Sequence, residues 1–168
     1  WRALSDLPPN ADPYPAIRRV METLGFGKVA TSALEGVQYG FLREGVDHIV
    51  VNPDRVLWTA KQEVLHLAEV GYTPMEEPKV MAYGDAVLNR LLVELHNLKR
   101  GGFITEHDFT IASQIAYVLS GGDLSQPTEM PLSYFYGLEV QVVGFLAQQP
   151  KTWERMRHML ETGKPLRN

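Results

Sequence analysis

The stretch that decides the fold is Leu98-Lys99-Arg100-Gly101-Gly102-Phe103-Ile104-Thr105-Glu106-His107-Asp108, in the middle of the chain. Leucines recur at helical spacing before the glycines, at Leu88, Leu91, Leu92, Leu95 and Leu98. Gly101 is predicted to end this helix in the left-handed conformation, where Lys99 and Arg100 suit the negative end of the helix dipole. Thr105 then caps a second helix, with Asp108 in the capping-box position. The pattern predicts two antiparallel helices joined by a tight turn.

The second helix of this pair is predicted to bury a stripe of branched side chains. Ile111, Ile115 and Val118 lie three and four residues apart, so they share one helix face. The stripe is flanked by Ala112, Ala116 and Leu119. Gly121-Gly122 is expected to end the segment, because glycine readily adopts the left-handed conformation.

Composition excludes several classes of protein. The 168 residues are 45% hydrophobic, which suits a sizeable core, and no apolar run approaches the roughly 20 residues of a membrane-spanning helix. The formal net charge of −4 argues against a nucleic-acid partner. The chain has no cysteine, which excludes disulfides and thiolate chemistry, and a cytoplasmic location is expected. We see no secretory signal pattern, and a chain that starts at Trp1 is expected to be a fragment of a larger protein.

The first part of the chain is predicted to hold short elements. Residues 1–14 carry three prolines and are expected to form an irregular lead-in. A helix is then predicted from Pro15 to Gly25, and another from the capping box of Ser32 and Glu35 to Gly40. The first of these helices is expected to bury Ile17, Val20, Met21 and Leu24. Residues 48–51, His-Ile-Val-Val, are the best strand candidate.

A stronger helix start follows at Asn52-Pro53-Asp54, which combines a cap, a proline at the first position and an acid in the first turn. This helix is predicted to end at Gly71. Its buried face is expected to comprise Leu57, Ala60, Val64, Leu67 and Ala68. Residues 73–79 contain two prolines and are predicted to be an internal boundary.

The last part of the chain is predicted to be helical. Residues 122–131 are expected to be a polar connection. A long helix from about Pro131 is predicted to place Phe135, Leu138, Val142, Phe145 and Leu146 on one side. A last helix runs from Pro150 to Gly163 and carries Trp153, Met156 and Leu160. The expected fold is therefore mainly α, with at most one or two short strands.

Gly25-Phe26-Gly27-Lys28-Val29-Ala30 matches the Gly-x-Gly-x-x-Ala form of the dinucleotide-binding fingerprint. Asp47 also lies near the expected distance of about 20 residues. The fingerprint requires a strand before it and a helix after it, whereas the apolar spacing before Gly25 is helical. We therefore interpret these glycines as a helix cap and keep a nicotinamide site as the alternative.

Three other groups of residues could carry chemistry. Glu63 and His66 have the spacing of a di-iron ligand pair, but a second such pair is missing: Glu94 and His96 are two apart, and Glu154 and His158 are four apart. We therefore interpret Glu63 and His66 as part of a solvated face.

The cluster Glu106-His107-Asp108 could perform acid–base work, but acids in the first turn of a helix are also explained by its dipole. The C-terminal cations could bind an anion such as a nucleotide phosphate, or could form a solvated helix face. They are Arg155, Arg157, His158, Lys164 and Arg167.

Several stretches resemble one family closely. They include residues 102–108, residues 119–123 (Leu-Ser-Gly-Gly-Asp), and the ending that runs from Pro150 to Asn168. These resemble the C-terminal end of large bacterial fatty-acid β-oxidation enzymes that join a 3-hydroxyacyl-CoA dehydrogenase to an enoyl-CoA hydratase of the crotonase type. Residues 22–33, 40–42, 52–55 and 67–72 look like the last part of the crotonase-type domain.

The resemblance implies a helical C-terminal fragment in three segments: a lead-in (1–14), the end of a crotonase-type domain (15–75) and a C-terminal helical domain (76–168). The parent enzyme would act on acyl-CoA with NAD as cofactor, and the helices here would support assembly with its upstream dehydrogenase and hydratase domains. The family's nicotinamide fingerprint and catalytic residues have no matching stretch in this chain. The resemblance therefore assigns no catalytic residue, no metal ligand and no NAD contact here. The competing hypothesis is a stand-alone helical interaction module without enzymatic activity.

The isolated chain is predicted to self-associate as a homo-oligomer. Large apolar side chains occur along its helices, notably Trp58, Phe135, Phe145 and Trp153, and exposed apolar patches mark interaction sites. Sedimentation velocity over a wide concentration range should show species larger than a monomer. A strictly monomeric profile at every concentration would contradict this prediction.

Overall fold

The computed structural model describes residues 2–8 and 10–168. In these residues it contains eight α-helices and a two-stranded sheet, which confirms the mainly α fold with at most two short strands. The elements in chain order are α1 (Arg2–Ser5), α2 (Tyr14–Gly25), α3 (Ala33–Gln38), a 3₁₀ helix (Pro53–Arg55), α4 (Val56–Glu69), β1 (Lys79–Ala82), α5 (Asp85–Arg100), α6 (Glu106–Ser120), β2 (Thr128–Pro131), α7 (Leu132–Ala147) and α8 (Pro150–Thr162).

The chain forms two compact units, a larger one of Trp1–Lys28 with Glu77–Asn168 and a smaller one of Val29–Glu76. This division differs from the predicted segments, which grouped residues 15–75 together. Helix α2 belongs to the larger unit because Tyr14, Ile17 and Met21 are buried in the same core as the leucines of α5. The predicted irregular lead-in, residues 1–14, contains the short helix α1, which packs on α2. Trp1 and Pro9 lie outside the described residues.

Helices α5 and α6 form the predicted hairpin. The capping box is confirmed: the Asp108 backbone N–H donates to Thr105 Oγ1 at 3.1 Å, and the Thr105 N–H donates to the Asp108 carboxylate at 2.9 Å. The turn itself corrects the prediction. Gly101 keeps a right-handed conformation (φ −76°), and Gly102 takes the left-handed one (φ 73°). The reversal therefore occurs one residue later than predicted.

The buried face of α6 is built from small residues. Ala112, Ala116 and Ser120 are buried, whereas Ile111, Ile115 and Val118 are only partly buried. The buried stripe of α6 therefore lies beside the predicted one and not on it. Helix α6 packs against α2, α5 and α7. A helix with three neighbours packs closely only where its side chains are short, which is the physical reason for the difference.

A short antiparallel sheet links the start of α5 to the start of α7. β1 pairs with β2 in the register Val80↔Met130 and Ala82↔Thr128. The prediction was wrong here: residues 48–51 do not form a strand, and residues 128–131, predicted as connection, do. A strand requires a partner, and the partners here are about 50 residues apart in sequence, which a local pattern does not reveal.

The last two helices begin near the predicted residues. Helix α7 buries Leu138 and Val142, while Phe145 on the predicted buried side remains 44% exposed. Helix α8 runs from Pro150 to Thr162 and is capped by Gly163, which has the left-handed conformation expected of a C-terminal glycine.

The smaller unit contains α3, the 3₁₀ helix and α4. Ser32 caps α3 and Asn52 caps the 3₁₀ helix, as predicted. The predicted buried face of α4 was wrong, because its apolar side chains are exposed: Leu57, Ala60, Val64, Leu67 and Ala68. Within this unit α4 packs against the preceding 3₁₀ helix, which leaves that face open to solvent.

Replacing Gly121 by alanine is predicted to cost about 2–5 kcal/mol of unfolding free energy. Gly121 ends α6 with φ 90°, and an added Cβ would overlap the side chain of Ala82 on β1. The matched control is Gly137→Ala in α7, where an added Cβ meets no atom within 4 Å, and where alanine should stabilise the helix by about 0.5–1 kcal/mol. Urea unfolding of both variants measures the difference, and equal midpoints would contradict the prediction.

Candidate functional site

One concave feature of the larger unit is an apolar groove of about 560 Å³ between α2, α5 and α6. Its floor reaches the core, since Leu91 and Leu95 from α5 and Ala112 from α6 line it and are each at most 9% exposed. Its rim is also apolar: Phe26 follows α2, Phe103 follows α5, and both side chains are exposed. We call this feature the α2–α5–α6 groove. A mostly apolar concavity with a few charged groups is the usual form of a small-molecule site.

One group of charged residues in the groove lining joins α2 to α5. Arg18 donates from Nε to Glu94 at 2.7 Å and pairs with Glu22 at 3.1 Å. The hydroxyl of buried Tyr14 donates to the other Glu94 oxygen at 2.9 Å. Burial and this hydrogen bond to a carboxylate raise the pKa of Tyr14 to about 12, so the phenol stays protonated at any physiological pH. The Tyr14–Glu94–Arg18 network therefore fixes α2 on α5.

A second group of charged residues in the groove lining joins α8 to the N-terminus of α6. The Arg155 guanidinium donates to Asp108 at 2.7 Å and to the side-chain oxygen of Asn168 at 2.8 Å. Burial acts to raise the pKa of Asp108, but the Thr105 N–H and Arg155 outweigh it and hold that pKa below its usual range. Asp108 is thus ionised as a cap and ion-pair partner, and its lowered pKa makes it a weak general base near neutral pH.

His107 is the buried histidine of the predicted cluster. Its ring Nε2 lies 3.1 Å from the hydroxyl of Thr152 on α8. Burial, followed by the nearby cations Arg155 and Lys151, lowers the pKa of His107. Glu106 points elsewhere and pairs with Lys99 at 3.2 Å. The structure therefore separates the three adjacent residues into three different roles, and the cluster does not converge on a common point.

The remaining sequence-predicted residues lie apart from one another. Gly25 is the last residue of α2 and Gly27 has a positive φ (58°), so the glycine motif ends a helix and does not follow a strand. Glu63 pairs with His48 at 3.3 Å, and His66 is exposed. Of the C-terminal cations, Arg155 and Arg167 reach the groove.

Sequence reasoning missed the groove and the Tyr14–Glu94–Arg18 network. The spacing of Arg18 and Glu22 allowed an ion pair along α2. Glu94 lies 76 residues from Arg18, and no local signal could place the two side chains together. Among the described residues, no group of three or more His, Cys, Asp or Glu side chains could hold a metal ion, and no helix is long and apolar enough to cross a membrane.

The described fold and groove define a mainly α-helical protein with a small-molecule-sized apolar site. No family model and no solved structure matches the chain. It is, however, similar to a protein of Bacillus subtilis (strain 168) named "Probable 3-hydroxyacyl-CoA dehydrogenase", with 38% identity over 157 residues that cover 94% of this chain. The aligned part is 20% of the Bacillus protein, so this chain spans about a fifth of its relative's length.

The stability of the larger unit is predicted to fall as pH drops below about 6.5, the ordinary pKa of histidine. Because the pKa of His107 is lowered on folding, the folded protein binds fewer protons than the unfolded chain below that pH, and acid favours unfolding. The charged groups acting on the ring are Arg155, Lys151, Asp108 and Glu154.

Urea midpoints measured between about pH 7.5 and pH 5 test this prediction. His107→Gln should flatten the pH dependence, since glutamine can still bond to Thr152 without titrating. The control His66→Gln, at an exposed position on α4, should leave it unchanged. An identical pH profile for wild type and His107→Gln would contradict the prediction.

Proposed function

We propose that this chain is a C-terminal, structural part of a fatty-acid β-oxidation enzyme that has 3-hydroxyacyl-CoA dehydrogenase activity. The single observation that carries the proposal is the 38% identity to the Bacillus protein over almost the whole chain. The resemblance of residues 102–108 and 150–168 to the ends of such enzymes supports the C-terminal placement. As in the sequence interpretation, the parent would also contain an enoyl-CoA hydratase domain of the crotonase type, of which residues 15–75 would be the end.

The contacts of the charged residues support a structural role. Asp108 and Arg155 tie α6 to α8, and Tyr14, Arg18 and Glu94 tie α2 to α5. These groups already satisfy one another. Acid–base work on a thioester would require carboxylates that are free to exchange protons with the substrate. In this proposal the helices hold the larger unit rigid and leave the chemistry to upstream domains.

NAD would be held by the parent enzyme outside this chain. The residues present here do not fit the cofactor, because the one glycine-rich motif ends α2 and is not preceded by a strand. When bound, NAD would accept a hydride from the 3-hydroxyacyl-CoA substrate. We derive no step of that reaction for the residues of this chain.

The proposed parent is a cytoplasmic homo-oligomer that acts on acyl-CoA. Three large apolar side chains are exposed: Trp58, Phe145 and Trp153. Their exposure supports the proposal that this chain contacts other subunits or upstream domains. The second candidate, a stand-alone helical interaction module, is favoured by the open apolar face of α4, on which Leu57 is 83% and Val64 64% exposed. The reading frame upstream of Trp1 distinguishes the two, since a dehydrogenase encoded there would exclude the module.

The isolated chain is predicted to catalyse neither the hydration of an enoyl-CoA nor the oxidation of a 3-hydroxyacyl-CoA. Hydration needs an oxyanion hole and two positioned carboxylates, and oxidation needs a nicotinamide held on a βαβ scaffold. Purified chain should show no turnover above the buffer rate with crotonyl-CoA, or with 3-hydroxybutyryl-CoA and NAD. Turnover that survives further purification would mean that an active site exists in these residues.

The longer protein provides the positive control. It is expected to reduce NAD with 3-hydroxybutyryl-CoA. Arg155→Ala within it should lower the melting temperature and leave the kcat of the folded enzyme nearly unchanged. A parent that fails to reduce NAD, or a variant that loses kcat at unchanged stability, would contradict the structural role.

A further inference from the structure

We propose that two copies of this chain pair through the exposed face of α7, with the two α7 helices antiparallel. The face consists of the apolar row Tyr136, Val140 and Val143 and of Gly137 and Gly144 beside it, all exposed. The inference deepens the homo-oligomer of the proposed function, on which it rests, by naming the surface and the orientation of the copies. It makes no use of the chemistry of the parent enzyme.

The apolar row lies on the side of α7 that faces away from the core. Tyr136, Val140 and Val143 are four and three residues apart, so they share one side of the helix, opposite buried Leu138 and Val142. Their exposed fractions are 55%, 73% and 64%. The described contacts of α7 with α6, α8 and β2 therefore leave this row open. A helix that is apolar on two opposite sides normally has a neighbour on each.

The exposed face of α7 also differs from those of its neighbours in charge. The sequence of α7 contains one charged residue, Glu139. The exposed positions of α5 include Asp85 and Arg90, and those of α8 include Lys151 and Arg157. Depletion of charge is the compositional signal of the core of a protein interface. The face of α7 therefore fits a partner surface that is itself uncharged.

Two interior glycines of α7 lie on this same face. Gly137 and Gly144 are absent from the described residues with a positive φ, and a Cβ added to either would meet no atom within 4 Å. Glycine weakens the interior of a helix relative to alanine. No described contact within one copy requires it at these two positions. Close approach of a large side chain from a second molecule would require it.

The order of large and small residues along the face is self-complementary. If a two-fold axis passes through Val140, a residue that precedes it lies level with the residue of the second copy that follows it by the same number of positions. Tyr136 is then level with Gly144 of the second copy, and Val143 is level with Gly137 of the second copy. Each large side chain thus meets a glycine, as ridges meet grooves in packed helices. An isologous contact requires this symmetry and an unrelated partner does not, which favours a second copy.

The rest of the face is compatible with the same pairing. Glu139 is level with Gln141 of the second copy, so the one acid of α7 lies beside an amide. Ser133 is level with Ala147, and both are small and exposed. Trp153, which is 54% exposed, donates from Nε1 to the Ala147 carbonyl at 2.6 Å. Its indole extends the apolar surface beyond the end of α7.

Sedimentation equilibrium of the 168-residue chain tests the pairing. One helix pair buries less than the roughly 1,600 Å² of a standard interface, so the dimer should be weak, with a Kd of about 10–500 μM. Val140→Glu should raise this Kd at least about tenfold, because it places two carboxylates together on the two-fold axis. The matched control is Val93→Glu on α5, where Val93 is 61% exposed, and it should leave the Kd unchanged. A wild-type chain that stays monomeric at about 1 mM, or equal Kd values for the two variants, would overturn the proposal.

Gly144→Leu separates the contact from the folding of one copy. Leucine favours a helix more than glycine does, so the melting temperature of the dilute chain should rise. The same side chain would occupy the space that Tyr136 of the second copy needs, so the Kd of the dimer should rise at least about tenfold. A merely structural role of Gly144 would not weaken the dimer while the fold gains stability. An unchanged Kd would overturn the geometry.

Cross-linking reads the orientation directly, because the chain has no cysteine of its own. On mild oxidation, Val140→Cys should form a disulfide-linked dimer at least about tenfold faster than Val93→Cys, since only the first pair of thiols meets on the axis. In a mixture, Ser133→Cys and Ala147→Cys should link to each other in preference to themselves. A preference for like pairs, or equal rates at Val140 and Val93, would overturn the antiparallel contact.

The longer protein distinguishes a second copy from an upstream domain. Val140→Cys within it should also cross-link two copies. A thiol there that is protected from alkylation but does not cross-link would show that an upstream domain covers the face, and would overturn the pairing. None of these results bears on the reduction of NAD by the parent, so this inference and the dehydrogenase proposal can fail separately.

Discussion

The close approach of α6 to its neighbours is the constraint on which the larger unit depends. Ala116 and Ser120 are completely buried on its inner face, and the Ser120 hydroxyl is satisfied by donating to the Ala116 carbonyl of the preceding turn at 2.8 Å. Gly121 then lies against Ala82 of β1, where no side chain fits. Because this face is small, α2 and α5 can pack on one side of α6 and α7 on another. A larger residue on it would separate the helices that form the core.

Two polar networks then fix the helices that the apolar contacts bring together. Each ties elements that are distant in sequence, α2 to α5 through Glu94 and α6 to α8 through Arg155. Both are partly shielded from water, and each key carboxylate accepts hydrogen bonds from more than one donor. Such satisfied pairs add geometric specificity to the packing. The lining of the groove combines apolar side chains with residues of both networks.

The groove and the sequence similarity bear on function in different ways. The similarity to the Bacillus protein covers nearly all of this chain but only a fifth of that relative, so it relates this chain to one part of that protein. The groove is a property of the larger unit alone, since the described elements α2, α5, α6 and the segment after α8 all belong to it.

The sequence by itself determined seven of the eight described helices, α2 to α8, and the ends of most of them. Helical spacing of leucines, the Thr105–Asp108 capping box, Pro150 and the terminal glycines act within a few residues, so their effects could be predicted. Only the tertiary structure decided which face of α6 is buried, that α4 remains exposed, and that β1 pairs with β2 in place of a strand at residues 48–51. It also brought Arg18 to Glu94 and Arg155 to Asp108. The sheet and the two ion pairs depend on contacts between residues some 45 to 80 positions apart, whose energies arise from packing and burial and leave no periodic signal in the chain.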